Sequence, residues 1–360
     1  MNKQFKTVDE NLIPDDISGE NDLNLTTTDE RYKINLSEIY IGKFASGEGN
    51  EIVEGILGEW ETNEAGDTLT KYLGTSKNIV IPNMYNGKKI TTIGANIFAG
   101  SEIETLEISR GIEIIEARAF VSSKKLTGNL TIPNSIKTIG NAAFAACTFD
   151  QKLTISESVE TVENNAFAMV PFNNIEINMS NIPPDILSAT SSVSTATGNL
   201  VLGENVKTIA ENAFNGCTTL NGTLTIGSNV ITIGNKAFNN CKNLQGYLNI
   251  PDSVITIGED AFYDCIGFTG IPYVSKNVEN IGKEAFANCQ NLTGNLVLGA
   301  ALKNIGIYAF QYCRGFESIT VPSSVENVGN NAFSDVAHVY YDGALNTSYW
   351  GAQNVSKTTE

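Results

Sequence analysis

The chain has 360 residues, 18% of them charged, with a formal net charge of -17 at pH 7 and a single histidine. No apolar run of about 18 residues occurs, so the sequence predicts no membrane insertion. The acidic balance argues against nucleic acid or an anionic membrane surface as partner. The single histidine, His338, lies in the closing segment, which argues against a His-based triad, and one histidine excludes multi-histidine metal sites.

The segment at positions 1–57 differs from the rest of the chain. Its first part, 1–30, is acidic, rich in Asn and Thr, and lacks sustained hydrophobic periodicity, which favours a disordered or docking tail. The second part, 31–57, contains Tyr32, Ile34 and Ile39 and could form one or two strands. We therefore expect 1–57 to be an acidic attachment segment that can bind a docking partner.

No apolar segment follows Met1, so no secretory signal is visible. Two alternatives remain open. The chain is a mature fragment with an added methionine, or Met1 is the natural start. In the second case the protein reaches its target by another route, such as assembly on a phage tail or injection particle.

A hairpin is predicted for residues 58–77, with Trp60 on one arm, Asn63–Asp67 as the turn and Leu69 and Tyr72 on the other. Repeats follow over residues 78–338. Their markers are phenylalanines at a nearly constant spacing, with a single step of double length after Phe167: Phe98, Phe120, Phe144, Phe167, Phe214, Phe238, Phe262, Phe286, Phe310 and Phe333. The period predicts about eleven stacked units.

The unit without a marker is predicted to be degenerate over residues 168–212. There Ser188–Thr197 stands in place of the Ala-Phe turn, with no large side chain to fill the slot. A regular unit, residues 244–265, shows what is missing. Leu248 and Ile250 alternate as in a short strand with one buried face, and Phe262 and Cys265 follow on one side of a helical turn.

The sequence of a Leu-x-Ile strand, an Ile-Gly step and an Ala-Phe-x-x-Cys turn recurs over residues 130–147, 224–241 and 248–265. This pattern resembles the BspA-type leucine-rich repeat family over about residues 78–342. The resemblance implies an α/β repeat solenoid, curved and right-handed, with a parallel sheet on one face. It also implies an N-terminal hairpin cap and a C-terminal aromatic cap, here residues 339–360 with Trp350. Known members are surface antigens and adhesins of bacteria and some protists.

Cysteines mark the repeats as regularly as phenylalanines do, and together they form the predicted repeat core: Phe214, Cys217, Phe238, Cys241, Phe262, Cys265, Phe286, Cys289, Phe310 and Cys313. Disulfides between adjacent strands, about 4.8 Å apart, and a metal ladder are the sharper alternatives. Buried thiols are favoured, because Val170 takes the same position in another repeat and free cysteine is commonly buried.

No catalytic residue, cofactor site or metal site can be singled out. Carboxylate pairs such as Glu259 with Asp260 are more often solvated surface than acid–base dyads, and no phosphate-binding glycine loop stands apart from the repeat period. The candidate ligand-binding residues lie on the outward face of the predicted sheet: Tyr247, Asn249, Ile271 and Tyr273. Exposed aromatic and apolar side chains favour recognition. The alternative, cross-strand contacts that merely cover the sheet, stays open.

The sequence therefore predicts a non-enzymatic protein that binds a protein or glycan ligand on a host or neighbouring-cell surface, and an extracellular or cell-surface location. The runner-up is a receptor-binding or structural component of a phage tail or contractile injection particle, attached by the acidic N-terminal segment. An intracellular scaffold is a third class.

Overall fold

The computed structural model describes residues 53–56, 58–187 and 194–358. The expectations for residues 1–52 lie outside the described residues.

The described residues form 28 short strands and no helix. In chain order the strands are β1 (Trp60–Thr62), β2 (Thr68–Tyr72), β3 (Asn78–Ile81), β4 (Met84–Tyr85), β5 (Lys88–Lys89), β6 (Thr92–Ile93), β7 (Thr105–Ile108), β8 (Ile114–Ile115), β9 (Leu130–Ile132), β10 (Thr138–Ile139), β11 (Lys152–Ile155), β12 (Thr161–Val162), β13 (Asn174–Ile177), β14 (Asn181–Ile182), β15 (Asn199–Leu202), β16 (Thr208–Ile209), β17 (Leu224–Ile226), β18 (Thr232–Ile233), β19 (Asn249–Ile250), β20 (Thr256–Ile257), β21 (Tyr273–Val274), β22 (Asn280–Ile281), β23 (Gly294–Val297), β24 (Asn304–Ile305), β25 (Phe316–Val321), β26 (Asn327–Val328), β27 (His338–Tyr341) and β28 (Asn354–Lys357).

The Leu-x-Ile segments stack as parallel strands, which we call the long-strand ladder: β3, β7, β9, β11, β13, β15, β17, β19, β21, β23, β25, β27 and β28. Equivalent residues are paired, for example Leu130 with Leu153. In a strand such as β9 the outer residues are buried and the middle one faces outward. Strand pairing is interrupted between β7 and β9, β17 and β19, and β21 and β23. The predicted parallel β-solenoid of about eleven turns is confirmed.

A second parallel ladder, which we did not predict, lies along another side of the stack. This short-strand ladder joins β2, β6, β8, β10 and β12, and then β14, β16, β18, β20, β22, β24 and β26. After β2 each strand is a dipeptide, such as Thr256–Ile257, in which the isoleucine is buried. Gly258 follows because a Cβ there would lie 2.6 Å from the backbone nitrogen of Asn235. The Ile-Gly step is therefore a close approach of two backbones.

The Ala-Phe-x-x-Cys segments form hydrogen-bonded turns, and the predicted helical turns are absent from the described residues. Two residues in each turn have left-handed backbone angles, such as Asp260 (φ 53°) and Asp264 (φ 60°). These angles stop helix propagation. The N–H groups of Asp260, Phe262 and Asp264 instead donate to carbonyls of the next turn, over 2.8–2.9 Å. The turns thus form a third hydrogen-bonded contact between repeats.

The ten marker phenylalanines are buried and their rings stack in two columns, Phe98–Phe167 and Phe214–Phe333. Centroids of neighbouring rings lie 5.1–5.7 Å apart and the planes are nearly parallel. Offset stacking at this distance is favourable for aromatic rings.

The prediction that no large side chain fills the degenerate unit is wrong. Ile186 and Leu187 occupy the Ala-Phe slot and are 3% and 2% exposed. Asp185 has a left-handed φ of 51° and donates its N–H to the carbonyl of Asn212, as Asn212 does to Asn235. The turn therefore precedes the Ser-rich segment, of which residues 188–193 lie outside the described residues. At this unit the short-strand ladder is interrupted, because no pairing joins β12 to β14.

Aromatic residues lie at both ends of the stack. The antiparallel hairpin of β1 and β2 pairs with β6. Its buried Trp60 lies 4.7 Å from the ring of Tyr72 and 6.0 Å from that of Phe98. At the other end Trp350 is buried 5.6 Å from Phe333.

Candidate binding face

The long-strand ladder presents rows of outward side chains. The row formed by the middle residues is small and polar in most repeats: Thr131, Thr154, Glu176, Val201, Thr225, Asn249, Tyr273, Val297 and Thr320. A cluster that we call the apolar patch departs from this composition. It consists of Tyr247, Ile271, Tyr273 and Val297, whose residues are 75%, 53%, 48% and 67% exposed.

The structure brings the four candidate residues together on neighbouring repeats. Asn249 is the register partner of Tyr273 across β19 and β21, and its side chain is exposed. Tyr247 lies over Gly270, the residue before Ile271. Val297, in the outward row of the next repeat, extends the cluster beyond the four candidates. The pairing of neighbouring strands and the constant repeat length produce this proximity.

Two glycines support the patch. A Cβ at Gly270 would lie 2.5 Å from Cε1 of Tyr247, and one at Gly294 would lie 2.6 Å from Cγ1 of Ile271. Both glycines have positive φ angles, 78° and 80°. Glycine is therefore suited to both positions: it adopts the positive φ angle, and its lack of a side chain leaves room for the larger side chain that lies over it. One edge of the Tyr247 ring and the side chain of Ile271 therefore lie over the backbone of the next repeat.

The hydroxyl of Tyr273 is fixed by an acidic residue that sequence reasoning missed. It donates to Oδ1 of Asp252 at 2.6 Å. This hydrogen bond lowers the pKa of Asp252 and raises the pKa of Tyr273. Nζ of Lys276 lies 3.5 Å from Oδ2 of the same carboxylate. The patch thus has a charged, hydrogen-bonded edge. In the sequence this edge is indicated only by the acidic residue Asp252 in the loop after β19.

The six cysteines are free and buried. The thiol of Cys265 donates to the carbonyl oxygen of Phe238 in the preceding repeat, at 3.1 Å. Four more thiols make the equivalent bond, those of Cys147, Cys241, Cys289 and Cys313. Burial raises the pKa of Cys147, Cys217 and Cys289 to about 12, and that of the other three well above its usual value. Such thiols are poor nucleophiles.

Among the described residues, the other titratable groups form no catalytic arrangement. The ring of His338 stacks on Tyr340 at 4.3 Å, and Nε2 lies 3.1 Å from the hydroxyl of Ser356. Glu259 forms an ion pair with Lys283 at 3.2 Å. Burial, followed by the charge of Glu284, raises the pKa of Asp260. Over residues 53–56, 58–187 and 194–358 we find no group of three or more metal-ligating side chains.

The same described ranges contain no helix with the length and hydrophobicity of a membrane span.

The model of the BspA type leucine rich repeat region matches residues 72–194 and 207–340, in six copies. The two matched segments cover more than half of the chain and are separated near the irregular unit. A search of curated proteins gives no significant match.

Several solved structures are similar to the chain. A leucine-rich repeat protein from Bacteroides ovatus is 21% identical, with 91% of this chain and 100% of that chain covered and a TM-score of 0.41. The pneumococcal vaccine antigen PcpA is 20% identical, with coverages of 81% and 73% and a TM-score of 0.36. A leucine rich cell surface protein from Faecalibacterium prausnitzii is 18% identical, with coverages of 84% and 94% and a TM-score of 0.30.

Proposed function

Because the chain belongs to the BspA-type leucine-rich repeat family, we propose that it is a non-enzymatic recognition protein that binds a protein partner on a cell surface through the apolar patch. The observation that carries this proposal is the exposure of Tyr247, Ile271, Tyr273 and Val297 on neighbouring repeats. Large apolar side chains clustered on a polar face are characteristic of interaction sites.

The patch has the properties of a rigid anchor. Tyrosine provides a large contact area while few torsions are lost on binding. The ring of Tyr247 contacts Gly270, and Asp252 accepts a hydrogen bond from the hydroxyl of Tyr273. The two side chains are therefore partly ordered in the free protein, which reduces the conformational entropy lost on binding. Ile271 and Val297 favour an apolar protein surface over a sugar at this position. Asn249 and Asp252 supply polar groups at the edge.

A repeat-based binding role at the cell surface is what family membership suggests, and an extracellular adhesin is the form of it that we propose. The alternative was a component of a phage tail or contractile injection particle, attached through residues 1–57. Neither the family match nor the described residues supports that alternative, so the adhesin is preferred.

Replacement of two tyrosines tests the proposal. We expect Tyr247→Ser/Tyr273→Ser to fold normally and to bind at least tenfold more weakly, or about 1.4 kcal/mol, to cells that the unmodified protein binds. Binding of labelled protein is measured by flow cytometry. The matched control is Tyr312→Ser/Tyr349→Ser, which removes two other exposed tyrosines, 41% and 60% accessible. Unchanged binding by the folded Tyr247/Tyr273 variant would place the site elsewhere.

A further inference from the structure

A groove of about 490 Å³ lies on the outward face of the long-strand ladder at β7, β9 and β11, several repeats before the apolar patch. It is lined by Glu107 of β7 and by Thr131 and Thr154 of the outward row, and Val53 forms one wall. A volume of several hundred Å³ is typical of small-ligand sites. The groove shares no residue with the apolar patch.

Hydrogen bonds fix the wall of the groove. The N–H of Val53 donates to Oδ1 of Asn83 at 2.8 Å, and the carbonyl of Val53 accepts from the N–H of Asn83 at 3.1 Å. Nδ2 of Asn83 donates in turn to the carbonyl of Arg110 at 2.6 Å. The segment at Val53 is therefore joined through one side chain to the loop after β7. A wall held in this way is present before any ligand binds.

The lining of the groove contains a buried hydroxyl group that the stack leaves without a partner. Strand pairing joins β3 to β7 and β9 to β11, but no backbone hydrogen bond joins β7 to β9 among the described residues. Ser109, which follows β7, lines the groove and is 6% exposed. Its buried hydroxyl has no hydrogen-bond partner within the described part of the chain. Buried polar groups without partners are uncommon and costly.

Charged groups of both signs line the groove. The carboxylates of Glu107 and Glu157 and the guanidinium of Arg110 lie on it, and Glu157 accepts from Nδ2 of Asn205 at 2.7 Å. In the described part of the chain neither Glu107 nor Arg110 has a side-chain hydrogen bond or ion pair. Two carboxylates disfavour an anion, and the guanidinium disfavours a cation.

The remaining lining sets the chemistry of the ligand. Hydroxyls of Thr131 and Thr154 both donate and accept, while Val53 and Pro133 provide an apolar edge. A ligand that fits carries many hydroxyls, little net charge and one apolar face. Pyranose sugars combine these properties. We propose that the groove binds a short stretch of neutral carbohydrate, of about one to three sugar units by volume.

Two identical strands provide a matched test. Leu-Thr-Ile forms both β9 and β17, and the central threonines, Thr131 and Thr225, are exposed. Only Thr131 lines the groove. Thr131→Trp would fill the groove from an outward position, whereas Thr225→Trp adds the same side chain to the same strand sequence outside it. Both variants are made in the full chain, with circular dichroism melting to verify folding.

The probes are neutral oligosaccharides printed as an array, followed by calorimetric titration of the strongest one. We expect the unmodified chain to bind, Thr131→Trp to bind at least tenfold more weakly, and Thr225→Trp to change affinity less than twofold. Glu107→Ala, a second groove variant without added bulk, should also weaken binding. Absence of binding to every neutral sugar, binding of charged sugars alone, or equal binding by the two tryptophan variants would overturn the proposal. The Tyr247→Ser/Tyr273→Ser variant should bind the sugar normally, which separates this site from the apolar patch.

Discussion

Gly270 illustrates how one residue without a side chain determines the position of another. Its φ of 78° and its contact with the ring of Tyr247 are separate requirements, because an added methyl group would be strained and would also meet the ring. Gly216 has a similar φ of 70°, but no atom lies within 4 Å of the place where a Cβ would stand. The two positions therefore separate backbone strain from loss of space.

We expect Gly270→Ala and Gly216→Ala each to lower the free energy of unfolding by about 1–2 kcal/mol, because both positions have a left-handed backbone and the exposed ring of Tyr247 can turn away from an added Cβ. Gly270→Ala should also displace Tyr247 and weaken partner binding, while Gly216→Ala should leave binding unchanged. Urea unfolding measures the loss of stability, and the cell-binding assay measures the loss of partner binding. Unaltered binding by the Gly270→Ala variant would show that Gly270 does not position the ring.

Residue roles were predictable where they follow the repeat period and not where they depend on a specific neighbour. Burial of Phe262 and Cys265 follows from their recurrence at a fixed spacing. The bond from the Cys265 thiol to the carbonyl of Phe238 does not, since it requires knowledge of how the preceding turn is oriented. The contact between Tyr273 and Asp252 was missed for the same reason.

The irregular unit shows how an element can be hidden from a pattern search. Its turn uses Ile186 and Leu187 where other turns use Ala and Phe, so no marker appears. The step from Phe167 to Leu187 is shorter than a regular repeat, and the step from Leu187 to Phe214 is longer. Neither step matches the period, although together they span two repeats. Size and apolarity are retained in the slot, whereas residue type and spacing are not.

Truncation of Leu187 tests this assignment. We expect Leu187→Ala to destabilise the protein by about 2–5 kcal/mol, because the side chain is buried between two phenylalanine columns. Leu73→Ala, at a leucine that is 47% exposed, is the control and should cost less than about 1 kcal/mol. Chemical denaturation measures both. A loss at Leu187 as small as that at Leu73 would mean that the slot is not part of the core.

The long-strand ladder could be predicted because most of its strands alternate buried and exposed residues over several positions. The short-strand ladder could not, since a dipeptide is too short to show a period. The turns were misassigned as helical because Ala, Phe and Cys at these spacings also suit one face of a helix. Left-handed residues such as Asp260 and Asp264 decide the outcome, and Asp carries only a weak preference for that conformation.

At the scale of the whole molecule, each repeat contacts its neighbours through two strand ladders, the turns and the ring columns. Stability in such an array is approximately a sum over repeats and the interfaces between them. The first and last repeats lack a neighbour on one side, so their apolar faces must be covered by another segment. We propose that the hairpin of β1 and β2 and the segment around Trp350 act as the two caps, since both place a buried tryptophan against a terminal phenylalanine. The domain boundaries at residues 58–77 and 339–360 remain predictions.

The six buried thiols predict a response of the whole stack to alkaline pH. Burial raises the folded-state pKa from 9.0 to about 12 for three of the thiols and well above 9.0 for the other three, so the folded protein retains protons that the unfolded chain releases. Their contribution to stability is complete below about pH 8 and declines as the pH rises through the unfolded-state pKa toward the folded-state pKa. Well above the unfolded-state pKa, each thiol should remove up to about 1.4 kcal/mol per pH unit.

We expect urea unfolding between about pH 8.5 and pH 11 to show this decline, and Cys265→Ser/Cys289→Ser to reduce the thiol contribution by about one third. Serine suits the position, because Ser123 makes the equivalent bond to the carbonyl of Phe98 at 2.6 Å. Lysine and tyrosine residues titrate in the same way in the unmodified protein and in the variant, so their effect cancels when the two free energies of unfolding are subtracted. Identical pH profiles for the two proteins would show that the thiols are not protected in the fold.

The regular register between Phe214 and Phe310 has a consequence for how such a gene can change. Repeats in this region are equal in length and are joined largely by backbone hydrogen bonds, which do not depend on side-chain identity. Unequal recombination that gains or loses one whole unit therefore keeps the remaining repeats in register. Around Leu187, where a short step precedes a long one, the same event would join segments of unequal length. We therefore expect the number of repeats to change more readily between Phe214 and Phe310 than around Leu187.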